Sequence, residues 1–380
     1  MPSQCRAMSS SPNTLSARTL SSYKTLQDCP RPPQAAAAEA APPSAGRPLD
    51  AGWRQWIVEN RLRHCTPASM VATMASGGVD PREAAVAIAQ MESDPGYLAA
   101  LKMRELRDKL ASTMANLQRL WEQAPDYAHV EKRSRVSREE FIERYVRGCR
   151  PVVLTDVTHD WPAMARWSPQ DLKERFGHLT VEIQAERNAN QRYEVDKLAH
   201  RRQVRLADFV DRVLQAGHSN DEYLTANNEL LRRPEFAPLL DDIGSLPPVC
   251  DRATLGERSS FWCGPGGTVT PLHHDTLMLF HTQVVGRKRW RFISPLQTPR
   301  LYNHYQVFSD VNLDAVDLQR HPEFAGVTVL DVVVEPGETM FLPLGWWHQV
   351  SSLDLSLSFS YSNLDVPNTY TYVNPNITNW

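Results

Sequence analysis

The chain has 380 residues, 42% of them hydrophobic and 22% charged, with 41 Lys and Arg against 44 Asp and Glu for a formal charge of −3. That balance argues against a dedicated nucleic-acid binder, which needs a basic excess to neutralise phosphates, and the apolar content suffices for a full core. No apolar run reaches about 18 residues, so no membrane-spanning helix is expected. The first residues lack the apolar stretch of a secretory leader. Six cysteines (Cys5, Cys29, Cys65, Cys149, Cys250, Cys263) form no Cys-x-x-Cys pair. They read as reduced thiols in a cytoplasmic protein rather than a disulfide framework or a zinc ribbon.

In chain order, residues 1–50 are rich in Ser, Pro and Ala with few large apolar side chains, so burial cannot offset the entropy of ordering them and a disordered tail is expected. Residues 51–122 read as helices. Thr66-Pro67 and Asp80-Pro81 each place a capping side chain before a proline at the first helical position. The longest helix, from about 96 to 121, carries Met103, Leu106, Leu110, Met114, Leu117 and Trp121 at steps of three and four, a packing stripe within the chain or between two copies in a homodimer. Residues 123–257 look mixed. Ser137 to Glu140 is a capping box, Pro151 to Leu154 a buried strand, Ser168-Pro169 a helix start, Val181 to Gln184 a strand and Leu206 to Leu214 an amphipathic helix; the basic run His200 to Arg205 reads as a solvated face. Residues 258–366 change texture to short strands separated by Gly and Pro turns, namely Leu277 to Val285, Lys288 to Ile293, Val329 to Val334, Thr339 to Leu342 and Leu353 to Tyr361, which suggests a sandwich or barrel. Residues 367–380 read as a C-terminal tail.

Chemistry concentrates at Thr270-Pro271-Leu272-His273-His274-Asp275. On a strand, alternate side chains share a face, so His273 and Asp275 point together and His274 points away. Gly345-Trp346-Trp347-His348 places a third imidazole at a strand end beyond the Pro336-Gly337 turn. Two imidazoles and a carboxylate on neighbouring strands can fill one face of an octahedral metal and leave three positions open, the facial arrangement of non-haem iron(II) oxygenases. Lys288 follows just past the Gly286 turn and can present a cation to a dicarboxylate, with hydroxyls from Tyr223 and Thr270.

The stretch from Phe261 to Phe359 resembles a JmjC domain of the protein-hydroxylase kind, similar to the asparaginyl hydroxylase that modifies hypoxia-inducible factor and to small JmjC hydroxylases. The resemblance is carried by Gly264 through Asp275, Gln283 through Lys288, Glu335-Pro336-Gly337-Glu338 and Pro343 through His348. Upstream, Arg150 to Leu154, Asp160-Trp161-Pro162 and Tyr223-Leu224 also fit, so it covers about 130 to 363. It implies a mixed α/β chain with a mainly-β core: a double-stranded β-helix (jelly roll) flanked by helices, plus the N-terminal helical region. It also implies Fe(II), 2-oxoglutarate as co-substrate and O2. His273, Asp275 and His348 match the metal ligands, Lys288, Thr270 and Tyr223 match contacts of 2-oxoglutarate, and Trp262 lines its pocket. Leu279 stands where the family carries an asparagine that hydrogen-bonds in the pocket, and His281 replaces an apolar or aromatic residue. The expected activity is dioxygenase hydroxylation of a protein or peptide side chain with release of succinate and CO2. The alternatives are a catalytically silent metal-binding scaffold and a hydroxylase of an RNA base or small metabolite. His304 and His321 fall in a polar insertion and are expected at the surface.

Overall fold

The computed structural model describes residues 49–303 and 306–370, with the side chain of Asn227 left aside. The expected disordered tail up to residue 48, His304 and residues 371–380 lie outside the described residues. The chain divides into two compact units, Met1–Ala111 and Ser112–Trp380.

In the first unit, helices α1 (Ala51–Leu62), α2 (Pro67–Ser76) and α3 (Pro81–Glu92) surround a small core of Trp56, Ile57, Cys65, Met70, Met74, Ala84 and Ile88. The helix starts behave as the sequence predicts. Thr66 accepts from the Ser69 amide and Asp80 from the Arg82 and Glu83 amides, each before a proline whose missing N–H costs the first turn nothing. Helix α4 (Pro95–Trp121) is the long one. Its apolar stripe is not buried: Met103, Leu106, Leu110 and Leu117 are all exposed, Met103 to 75%.

The second unit is built on twelve strands, β1 (Glu131–Arg133), β2 (Val152–Leu154), β3 (Thr180–Gln184), β4 (Arg201–Arg205), β5 (Ser259–Gly264), β6 (Val269–His274), β7 (Leu279–Val285), β8 (Lys288–Ile293), β9 (Leu330–Val334), β10 (Thr339–Leu342), β11 (Trp347–Ser352) and β12 (Ser356–Tyr361). A six-stranded sheet in the order β1-β2-β10-β7-β12-β5 and a four-stranded sheet β6-β11-β8-β9 form the jelly roll, a double-stranded β-helix, with β3 and β4 as a separate pair. All pairings are antiparallel except β1 with β2. Helices α5 (Pro169–Phe176) and α6 (Leu206–Ala216) bury Phe176, Phe209 and Val213 in the larger core, where Phe141, Phe280 and Phe341 also pack at centroid distances of 4.9–5.5 Å.

Several local expectations change on folding. The basic run at 201–205 keeps a largely solvated face but forms strand β4, whose Arg201 and Arg202 pair with Glu182 and Glu186. The expected strand at 353 begins at Ser356, because Leu353 to Leu355 make the turn in which Asp354 holds Arg287. His321 is buried, its ring edge-on to Tyr302 at 4.8 Å, where the polar composition around it suggested surface. Among the described residues no helix is long and apolar enough to cross a membrane.

Candidate metal centre and co-substrate cavity

Strands β6 and β11 lie side by side, and their register sets His273 directly opposite His348. The next matched pair is Thr270 with Val350. Three steps along β6 therefore oppose two along β11, so β6 carries a bulge. Strict alternation from His273 would send Thr270 to the other face; the extra residue turns it back, and both side chains line one cavity of about 250 Å³. Asp275 follows the end of β6 and completes the cluster.

The ligand-type atoms of His273, Asp275 and His348 all lie within 4.8 Å of one another. Nε2 of His273 stands 4.0 Å from one Asp275 oxygen, and Nε2 of His348 stands 3.8 Å from the other. Both separations are too long for hydrogen bonds. Each imidazole is held from behind, with Nδ1 of His273 2.7 Å from the Pro271 carbonyl oxygen and Nδ1 of His348 3.0 Å from that of Trp346. Since a carbonyl only accepts, the proton sits on Nδ1 and the Nε2 lone pair faces Asp275. Burial holds the His348 ring well below the usual imidazole range and pushes the Asp275 carboxyl up. Two imidazole Nε2 atoms held by their Nδ1 contacts and one buried carboxyl are a donor set that fits a divalent transition metal. His274 points elsewhere, its ring 4.7 Å from that of Trp347.

The other end of the cavity is cationic. Lys288 opens β8 after the Gly286 turn, where φ is +72° and a Cβ would meet the Leu355 carbonyl oxygen at 2.0 Å. Its ammonium, 2% exposed, donates to the Tyr223 hydroxyl at 2.7 Å and lies 5.5 Å from the centre of the Trp262 ring. Burial lowers its pKa to about 7. Tyr223 can come this close only because residue 264 is glycine, since a Cβ there would meet the Tyr223 ring at 2.6 Å. Trp262 donates to the Ser360 hydroxyl at 2.8 Å. All seven residues that the sequence singles out, His273, Asp275, His348, Lys288, Thr270, Tyr223 and Trp262, line this one cavity.

Two neighbours escaped the sequence reading. Phe308 stacks against His273 at 5.6 Å from a loop with no motif of its own. Arg187, its side chain wholly buried, packs its guanidinium 4.2 Å from the Tyr193 ring centre and 5.1 Å from that of Tyr223. It donates to Glu194 at 3.1 Å and to the Val269 carbonyl at 2.7 Å, a carbonyl that also accepts from the Tyr193 hydroxyl. It thus fixes both Tyr223 and the start of the bulged strand, yet these partners are 36 to 82 residues away in sequence and leave no local pattern. Arg187→Ala is expected to cost about 3–5 kcal/mol, because breaking a buried ion pair leaves its partner uncompensated. Urea denaturation measures it; a loss below about 1 kcal/mol would contradict this account of Arg187.

The jelly roll, with this cavity between its sheets, defines the class: the sequence profile of the cupin-like domain matches residues 137–365, and the chain belongs to that family. Among its relatives, lysine-specific demethylase 8 of Xenopus tropicalis is 31% identical over 235 residues, 59% of this chain and 50% of that protein. Jumonji C domain-containing protein 5 of Drosophila melanogaster is 31% identical over 239 residues, 59% of this chain and 57% of the other. Arginine-specific demethylase JMJ20 of Arabidopsis thaliana is 28% identical over 266 residues, 60% and 55%. The chain spans about half the length of the curated relatives it matches.

Proposed function

We propose that the chain is an iron(II)- and 2-oxoglutarate-dependent oxygenase acting on a protein side chain. The observation that carries the proposal is the convergence of His273, Asp275 and His348 within 4.8 Å at one end of a cavity whose other end holds the buried Lys288. The three side chains would hold Fe(II), which supplies dioxygen activation coupled to decarboxylation of 2-oxoglutarate. The overall change balances as 2-oxoglutarate, O2 and R–H giving succinate, CO2 and R–OH. The chain's residues do the rest. The carbonyls behind His273 and His348 fix the tautomers that present lone pairs. Lys288 and Tyr223 bind the far carboxylate, a charge-assisted contact of about 1.5–3 kcal/mol, with Thr270 beside them. Trp262, Trp290 and Phe308 wall the space against water.

Relatives named as demethylases of lysine and arginine support a protein substrate. Hydroxylation of a side-chain carbon and demethylation share one chemistry here, since a hydroxylated N-methyl group falls away as formaldehyde. We favour plain hydroxylation, in a cytoplasmic setting that suits the free thiols of Cys65, Cys149, Cys250 and Cys263. The test is mass spectrometry of cell extract treated with protein, iron and 2-oxoglutarate, scoring succinate and a gain of one oxygen on peptides, RNA bases or metabolites. Succinate no higher than with Asp275→Ala protein would favour the silent scaffold, the reading that Leu279 and His281 motivate.

We also infer a homodimer through α4. Met103, Leu106, Leu110 and Leu117 repeat at coiled-coil spacing and are exposed. Lys102, Arg107 and Lys109 flank this seam. Parallel pairing would set Lys102 against Arg107 of a second copy, while antiparallel pairing with Lys102 opposite Asn116 would set Lys109 opposite its own counterpart. A second copy is the occupant of this stripe. Light scattering should give twice the chain mass, and Leu110→Glu should halve it; a monomeric wild type would refute the dimer.

A further inference from the structure

We infer that His281 is the residue through which this cavity reads its co-substrate, its imidazole hydrogen-bonding an oxygen of the bound 2-oxo dicarboxylate. The inference deepens the proposed function and rests on 2-oxoglutarate being the occupant. His281 lies on β7 and lines the cavity, 4% exposed, with its ring 6.1 Å from that of Trp262 and 5.1 Å from that of Trp290. Its Nε2 has no hydrogen-bond partner. Gln283 acts on the ring as a hydrogen-bonding neighbour, but Nε2, enclosed by two indoles, has lost water without gaining a bond, and such a loss destabilises the folded chain unless something else bonds it.

Two further orphans lie on the same sheet, outside the cavity lining. Gln283, two residues along β7, leaves Oε1 unpartnered, and Ser358, its cross-strand neighbour on β12, leaves Oγ unpartnered. Ser360, the residue opposite His281, is already engaged by Trp262. Leu279, two residues before His281 and also in the cavity lining, brings no polar atom. A chain that needed only packing at 281 would be better served by leucine or phenylalanine, the kind of residue expected there from the family resemblance. Burial keeps the ring neutral, with the Lys288 charge nearby acting in the same direction. A neutral imidazole can donate one N–H to an oxygen and is not forced to compete with Lys288 as a second cation. An anion carrying several oxygens, bound between Lys288 and the metal cluster, satisfies the amine and the imidazole together.

The experiment is calorimetric titration of 2-oxoglutarate into full-length protein loaded with Mn(II), beside thermal melting of the metal-free protein. His281→Leu should weaken 2-oxoglutarate binding by about tenfold to a hundredfold, the range for a lost hydrogen bond to a charged group. Its metal-free melting temperature should equal or exceed that of wild type, because the substitution removes an unsatisfied buried group. His281→Gln, which keeps a donor, should recover most of the affinity. His281→Leu protein that binds as tightly as wild type overturns the inference and leaves the oxygenase reading standing. A His281→Leu variant that melts lower, with no recovery of affinity in His281→Gln, also overturns it and makes the residue structural. Wild-type protein that binds no 2-oxoglutarate overturns the oxygenase reading itself, before any variant is compared.

Discussion

Asp275→Ala protein is expected to lose all metal-dependent stabilisation and all succinate formation. A ligand bound only by the folded state stabilises it by RT ln(1 + [L]/Kd), about 2.7 kcal/mol at a concentration 100 times the dissociation constant. Wild type in Mn(II) or Fe(II) at that excess should therefore unfold at markedly higher denaturant than without metal, and the variant should show no such shift. The metal-free variant should be no less stable than wild type. Its missing carboxylate is buried with its acid form favoured, and the imidazoles stand 3.8–4.0 Å away, beyond hydrogen-bonding range. His274→Ala serves as the comparison: its ring packs on Trp347, outside the cluster, and the metal-induced shift should survive. A full shift retained in Asp275→Ala, or lost in His274→Ala, would mean that the metal sits elsewhere.

The second large effect belongs to Lys288. Lys288→Met should weaken 2-oxoglutarate binding about tenfold to a hundredfold, the worth of a charge-assisted contact. It should also abolish a pH dependence. In the free protein, burial brings the amine to a pKa of about 7, far below its ordinary value near 10.5. A bound carboxylate favours the ammonium form and raises that pKa. Below pH 7 the amine is charged both before and after binding, so affinity is level. Above pH 7 the free pocket is neutral and binding must take up a proton, so affinity falls as pH rises, by at most tenfold per unit. The same shift means that the ligand-free protein gains stability between about pH 7 and 10.5, where the unfolded chain holds the extra proton. Titrations in two buffers of different ionisation heat count the protons. Equal apparent enthalpies at pH 8 would dispose of the idea.

The convergence of His273, Asp275 and His348 was legible because its signals are local or nearly so. His273 and Asp275 obey strand alternation, and the Pro336-Gly337 turn returns the chain to His348. Lys288 was legible because Gly286 marks the hairpin that presents it. Strand cores such as Lys288–Ile293 and Thr339–Leu342 followed from their composition, while the ends of others were set by turn contacts that composition does not show, as at Asp354 and Arg287. Arg187 could not be found in advance, since its role is defined by Tyr223 and Val269, brought near only by the fold. Nor could periodicity distinguish whether the α4 stripe faces its own chain or another. Thr270 was singled out for its hydroxyl and again by resemblance, although simple alternation would have placed it on the wrong side.

The single extra residue in β6 lies between two side chains of the cavity. Under the proposed function, Thr270 before it would offer a hydroxyl to the small molecule and His273 after it a nitrogen to the ion. Removing one of residues 271 and 272 would erase the bulge and leave Thr270 two ordinary strand steps from His273, so both side chains would still share the cavity face. The extra residue therefore sets the distance between hydroxyl and imidazole, not the side of the sheet on which they stand.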